Sequence, residues 1–229
     1  MLNIIHETKD IIIVNKPAGQ LSQGAKGFDL DLVLSLVSEV MTYNASQGKP
    51  AYAAIINRLD RPVSGLVLIA KNKSAAAKYS TLMQKEGGFN KQYEALICGK
   101  LSELKGTFVD YLKKDGRTNT SAIVPADSAA NDKEAKLSKL EYEVISYDEV
   151  KDITHVRIHL ITGRHHQIRV QFASRRHPLV GDYKYATADC GMDNAVKAVA
   201  LKRNQIALCA VSLTVDNKTY SVAPEFSIG

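Results

Sequence analysis

The chain has 229 residues, 45% of them apolar, and a formal net charge of +6; it can build a core for one large domain or two small ones, and its moderate basic excess suits a polyanionic partner. The first sixteen residues are charged throughout, with too short an apolar run for a signal peptide or a membrane span. Cys98, Cys190 and Cys209 stand far apart in sequence without a C-x-x-C, which reads as free thiols in a reducing, cytoplasmic compartment.

Residues 3–16 predict two short strands joined at Lys9-Asp10, and Pro17 with Gly19 stops the second. Residues 29–43 place Leu30, Val33, Leu34, Val37, Val40 and Met41 at helical spacing, with Asp29 as N-cap. A polar loop over 44–53 leads to the stretch NRLDRPVSGLVLIAK, residues 57–71, whose apolar run after Pro62 and Ser64-Gly65 predicts a buried strand. Residues 73–85 predict a helix carrying Ala75, Tyr79, Leu82 and Met83 on one face, ended by Gly87-Gly88. YEALICG, GTFVDYL and SKLEYEVISY read as strands, and residues 125–134 as a surface loop. HVRIHLI alternates strictly, with Val156, Ile158 and Leu160 inward and His155, Arg157 and His159 outward, an outer face open either to RNA or to plain solvent. HQIRVQFAS predicts a helix, and IALCAVSLTV and TYSVA two closing strands. Strands outnumber helices without regular alternation, so an α+β fold with a mixed, mostly antiparallel extended sheet flanked by helices is expected. No Pro/Ser-rich linker divides the chain, which predicts one domain over residues 1–229.

Phosphate-loop, dinucleotide and nucleophile-elbow signatures do not occur. Five histidines, 155, 159, 165, 166 and 177, lie close in sequence, but a metal needs three or four converging ligands, and His165 and His166 point apart if helical. What remains is Asp60 among arginines. A carboxylate serves as a nucleophile when a cation keeps it ionised and aimed, and arginine is the better cation. By residue type alone, such a pair is more often structural. Tyr93 reads as core, and Lys16, Lys71 and Asp182 as turn or surface residues.

Four ordered stretches carry a resemblance. DIIIVNKPAGQLSQ, NRLDRPVSGLVLIAK, NKQYEALICGK and ITGRHHQIRVQFASRRHPLVGDYKY resemble the N-K-P-x-G, H-R-L-D-x-x-T-S-G, K-x-Y-x-A and T-G-R-x-H-Q-I-R…P-[IL]-x-G-D-x-x-Y motifs of the RluA-type pseudouridine synthases. Asn57, Val63, Ala186 and Cys209 depart from the pattern, standing where His, Thr, Gly and His are usual. The resemblance implies a cofactor-free, metal-free isomerase with a central cleft across its sheet, which turns specific uridines of ribosomal or transfer RNA into pseudouridine. It puts Asp60 on the catalytic aspartate, acting as nucleophile or as base at the 2′ carbon, Tyr93 on the active-site tyrosine and Arg169 on the arginine that pairs with the aspartate. Arg58 falls on the RNA-contacting motif arginine, and Arg164, His166 and Gln167 are expected to contact RNA. The target base must leave the stack to react. The chain opens almost at the first motif, so the small N-terminal RNA-binding domain of many relatives is not expected, nor is an oligomer. The alternative is a catalytically weak RNA-binding or RNA-folding protein of the same fold, for which Asn57 is the one hint.

Overall fold

The computed structural model describes residues 2–24, 34–85 and 89–228. Along the chain run β1 (Ile4–Glu7), β2 (Ile11–Lys16), α1 (Leu36–Ser46), β3 (Ala54–Ile55), β4 (Ser64–Ala70), α2 (Lys73–Gln84), β5 (Asn90–Cys98), β6 (Lys105–Asp115) and β7 (Thr120–Val124). They are followed by α3 (Ala126–Ala129), β8 (Lys136–Asp148), β9 (Ile153–Leu160), α4 (Gln167–Ala173), α5 (Met192–Lys197), β10 (Leu208–Val215) and β11 (Lys218–Ser221). Two compact units divide the chain: residues 1–89 with 210–224, and residues 90–209 with 225–229.

In the first unit β2 lies between β1 and β4, and β10 follows β4, with β3 on β4 and β11 on β10. β2 and β4 run antiparallel from Ile11↔Ala70 to Lys16↔Gly65. Every residue of β4 is buried, as a strand covered on both faces requires, and this is why its sequence is a continuous apolar run. Ala75 and Tyr79 of α2 pack into a cluster with Ile11, Ile13, Leu66, Leu68 and Leu213. Gly65 has φ +116°, and a Cβ there would stand 2.4 Å from the Ala210 carbonyl oxygen. The glycine is needed for the close passage of β10 as well as for the bend.

Two boundaries differ from expectation. Helix α1 begins at Leu36, with Ser35 Oγ accepting from Ser38 N at 3.3 Å, and runs on to Ser46; Asp29, Leu30 and Val33 lie outside the described residues. So does the Gly87-Gly88 stop of α2, whose N-cap is Asn72, its Oδ1 accepting from Ala75 N at 2.8 Å. Lys71 is not a solvated strand end. Its side chain is 3% exposed and pairs with Glu7, and its ammonium also donates to the Thr8 carbonyl. Burial raises the Glu7 carboxyl, but hydrogen bonds from Lys71, Tyr43 and Lys49 outweigh it and hold the pKa at about 2 instead of 4.5. A depressed folded-state pKa gives stability that is present above the unfolded value and lost as pH falls through the folded one. Acid titration of unfolding should therefore show a loss of roughly 2–3 kcal/mol between about pH 4.5 and 2, and Glu7→Gln should flatten it.

The second unit is a sheet in the order β5-β9-β8-β6-β7, antiparallel throughout. Tyr93, Ile158 and Tyr142 are direct cross-strand partners and share a face. Helix α4 covers that face: Phe172 packs edge-on to Phe108 at 5.0 Å and to Tyr142 at 5.9 Å. The residues 177–180 add to β5 through the Ile97↔Leu179 bridge and the Cys98 N to Pro178 O bond. Strand β7 and helix α5 had no sequence signal, and the loop read at 125–134 holds the single turn α3. The architecture is the α+β, mostly antiparallel one expected.

Candidate functional site

Asp60 sits on the loop between β3 and β4, and that loop is pinned on both sides of it. Leu59 is buried, and its backbone is clasped by Ser22: Oγ accepts from Leu59 N at 3.1 Å and donates to Leu59 O at 2.7 Å. On the other side Gly19 N donates to Arg61 O at 2.7 Å, and Arg61 Nε donates to Gly19 O at 3.0 Å. Val63 N closes the turn onto Asp60 O at 3.0 Å. Asn57, at the pattern's histidine position, donates from Nδ2 to Leu66 O at 3.0 Å and accepts at Oδ1 from Leu68 N at 2.7 Å. The amide thus fixes the loop to β4. Arg58 is exposed beside a half-buried Asp60.

Lys16, read as a turn residue, is fully buried. Its ammonium donates to the carbonyls of Pro17 at 2.9 Å, Gln20 at 2.8 Å and Arg61 at 3.4 Å, which ties the Asp60 loop to the end of β2. Lys16→Met keeps the stem but removes the ammonium donor from the carbonyls of Pro17 and Gln20, while Arg61 O keeps its bond from Gly19 N. The expected loss is at least about 2 kcal/mol in denaturant unfolding, and a loss under half that would mean the carbonyls find other donors.

In the second unit the TGRHHQIR stretch folds as a tight turn into α4. Gln167 organises it: Oε1 accepts from Arg164 N at 3.0 Å and Thr162 Oγ1 at 2.8 Å, and Nε2 donates to Lys139 O at 3.1 Å and Gln171 Oε1 at 3.0 Å. His166 has φ +53°, in the left-handed region. The two histidine rings therefore do not point apart; they stack with centroids 3.8 Å apart. His166 is buried, with Nδ1 2.6 Å from Tyr185 Oη, and His165 Nδ1 is 2.8 Å from Ser121 Oγ. Arg164 is exposed, and its Nε donates to Leu137 O at 2.9 Å. Arg169 is buried in a two-point pair with Asp182.

The structure thus gathers Arg164, His166, Gln167 and Arg169 at the start of α4, on the sheet face that also bears the buried Tyr93. Asp60 and Arg58 belong to the first unit. Asp182, read as a turn residue, is buried against Arg169, and the links of Tyr185 and Ser121 to the His165–His166 pair were not foreseen. Only the G-D-x-x-Y spacing hinted at Asp182 and Tyr185, and Ser121 left no signal.

The opposite sheet face is charged but compensated. Glu94 stands 3.1 Å from both Arg157 Nη2 and His155 Nε2, Glu141 3.6 Å from His159 Nδ1, and Glu143 2.8 Å from Lys105 Nζ. A shallow groove of about 440 Å³ lies among Lys105, Glu141, Glu143, Arg157 and His159. Cations and carboxylates balance across this face, so it presents no basic excess to a phosphate backbone. Arg157→Ala should leave RNA affinity within about twofold and the salt dependence unchanged, whereas a phosphate contact would lower the slope by about 1.

Cys98 and Cys190, distant in sequence, are in thiol–thiol contact; burial and then Cys190 push the Cys98 thiol up to about 12, far from nucleophilic use. Among the described residues, no three His, Cys, Asp or Glu side chains converge as a metal would need, and no helix is long and apolar enough to cross a membrane.

Residues 10–174 match the model of the RNA pseudouridylate synthase family, and the chain belongs to that family. It is 34% identical over 185 residues to the ribosomal large subunit pseudouridine synthase D of Buchnera aphidicola, covering 81% of this chain and 55% of that protein. To the enzyme of the same name from Haemophilus ducreyi it is 33% identical over 184 residues, covering 80% and 52%. The chain thus spans about half the length of these curated relatives. Among solved structures, human RNA pseudouridylate synthase domain containing 1 superposes with a TM-score of 0.72 at 23% identity, covering 98% of this chain and 84% of that one. Human RNA pseudouridylate synthase domain containing 4 gives 0.73 at 18% identity, covering 97% and 88%. At these identities the likeness is one of fold.

Proposed function

We propose that this chain is the catalytic domain of an RNA pseudouridine synthase, and that it isomerises uridine in ribosomal RNA of the large subunit. The family match carries this reading, because residues 10–174 take in Asp60, Tyr93 and Arg169 together. The names of the curated relatives favour ribosomal over transfer RNA. In the reaction the C1′–N1 bond of uridine breaks, the freed uracil turns, C1′ bonds to C5, the proton on C5 leaves for solvent, and N1 takes up a proton, so the product is an isomer of the substrate. Nothing is oxidised, so no cofactor is required.

Asp60 is the group that acts on the nucleoside, as nucleophile or as base at the 2′ carbon. Arg169 keeps it ionised and oriented. Tyr93 stacks on the flipped uracil, and Arg58 and Arg164, both exposed, take phosphate. For His166 and Gln167 we favour an indirect part in RNA contact, since both are buried and bonded within the protein: they shape the turn that presents Arg164. A cytoplasmic location fits the free cysteines at 98, 190 and 209, and a monomer is part of the same proposal.

The test is tritium release from RNA labelled at C5 of uridine, prepared from a strain lacking this gene, with ribosomal and transfer RNA assayed separately. Release from ribosomal RNA supports the reading, release from transfer RNA alone moves the substrate, and binding without release would favour an RNA-folding role.

A further inference from the structure

Arg169 and Asp182 are 5% and 2% exposed. Nε of the arginine donates to Oδ2 at 2.7 Å and Nη2 to Oδ1 at 2.8 Å. The carboxylate therefore grips one edge of the guanidinium and fixes both its place and its plane. This uses two of the five N–H donors; the other three point away from Asp182. The ring of Tyr185 lies 5.2 Å from the guanidinium carbon, and its hydroxyl is held by His166 Nδ1 at 2.6 Å and by Ser121 N at 2.9 Å.

The turn that carries Asp182 is itself fixed. Gly181 has φ +87°, and a Cβ there would lie 2.7 Å from the Gln205 carbonyl oxygen, so only glycine fits. Asp182 N donates to Leu179 O at 3.0 Å, and the amides of Tyr185 and Ala186 donate to Asp182 O at 3.2 and 3.1 Å. All these groups belong to the second unit. Two charges buried together are a poor source of stability, since desolvation consumes most of their attraction. What such a pair supplies is a cation of fixed position, which a reaction at a carboxylate needs and folding does not.

We infer that Asp182 is a positioning residue for the isomerisation: it fixes the place and plane of Arg169, the arginine that the family reading assigns to the reaction. The inference rests on the pseudouridine synthase reading and adds to it a residue that touches neither base nor ribose.

Tritium release is measured for Asp182→Asn, Asp182→Glu, Arg169→Lys and the double variant Asp182→Asn with Arg169→Lys. Asp182→Asn should lower kcat by about thirtyfold or more, with KM for RNA within about threefold. Asp182→Glu keeps the charge one methylene out of place and should lose about tenfold in kcat at an unchanged melting temperature, which separates position from stability. On the Arg169→Lys background, Asp182→Asn should lower kcat less than about threefold further, because residues acting as one unit do not multiply. A kcat within about twofold of wild type, a loss carried by KM alone, or fully multiplying effects would overturn the inference.

A second readout needs no turnover. The Arg169 Nε–H resonance in a ¹H–¹⁵N spectrum should exchange slowly in wild type and in Asp60→Asn and vanish in Asp182→Asn; an unchanged resonance would also overturn it. If wild type releases tritium from no RNA, the parent reading fails, and the inference about catalysis falls with it. The resonance then decides separately whether Asp182 anchors the guanidinium.

Discussion

Asp60→Asn protein should release no tritium above background while binding RNA within about tenfold of wild type, a difference of roughly 1.4 kcal/mol. The substitution changes one oxygen to an amide nitrogen and keeps the shape. It removes the charge on which either route depends, since an amide neither attacks a sugar carbon nor accepts a proton from one at neutral pH. The backbone around it has its own supports. Ser22 holds Leu59, Gly19 and Lys16 hold Arg61, and Asn57 holds the start of β4. These bonds are made by other groups and remain in the variant, so they should keep the loop on its course. Phosphate contacts dominate RNA affinity, and the arginines proposed to make them, Arg58 and Arg164, are left in place. Turnover above a tenth of the wild-type rate would move the chemistry to another residue. Binding weakened a hundredfold would instead mean that Asp60 helps to hold the flipped nucleotide.

The strands were legible because burial wrote itself into the spacing. LVLIA is apolar throughout because β4 is covered on both faces, and HVRIHLI alternates because β9 is covered on one, with Val156 and Ile158 fully buried. The polar groups that hold the site were not legible. Lys16 looked like a lysine before a proline, and nothing nearby announces that its ammonium caps the Arg61 carbonyl 45 positions on. The Glu7–Lys71 pair spans 64 positions. The face of His155, Arg157 and His159 read as basic because its acidic partners, Glu94, Glu141 and Glu143, lie on neighbouring strands. A charge's meaning is set by what the fold places opposite it, and no local period encodes that. Asn57 makes the same point from the other side: it was the one hint of lost activity, yet its amide bonds β4 through both ends.

Arg169→Ala should unfold at markedly lower denaturant, with a loss of about 3–5 kcal/mol and a fall in melting temperature on the order of 10 °C for a chain of this size. The reason is Asp182. At 2% exposure its carboxylate reaches little water, and removing the guanidinium strands a buried charge. Replacing both partners separates fold from function. Arg169→Met with Asp182→Leu removes the two charges together and fills the space with apolar groups, so its stability should return to within about 1–2 kcal/mol of wild type or exceed it. Its turnover should stay as low as that of Arg169→Ala, because the proposed catalytic cation is still missing. If the double variant instead regained both stability and turnover, the pair would be a structural ion pair and the catalytic cation would have to be sought elsewhere. If it regained neither, the Gly181–Ala186 turn would itself depend on the Asp182 carboxylate. An unchanged melting temperature in Arg169→Ala alone would show that Asp182 finds another donor or water, and the buried charge would then be better solvated than its exposure indicates.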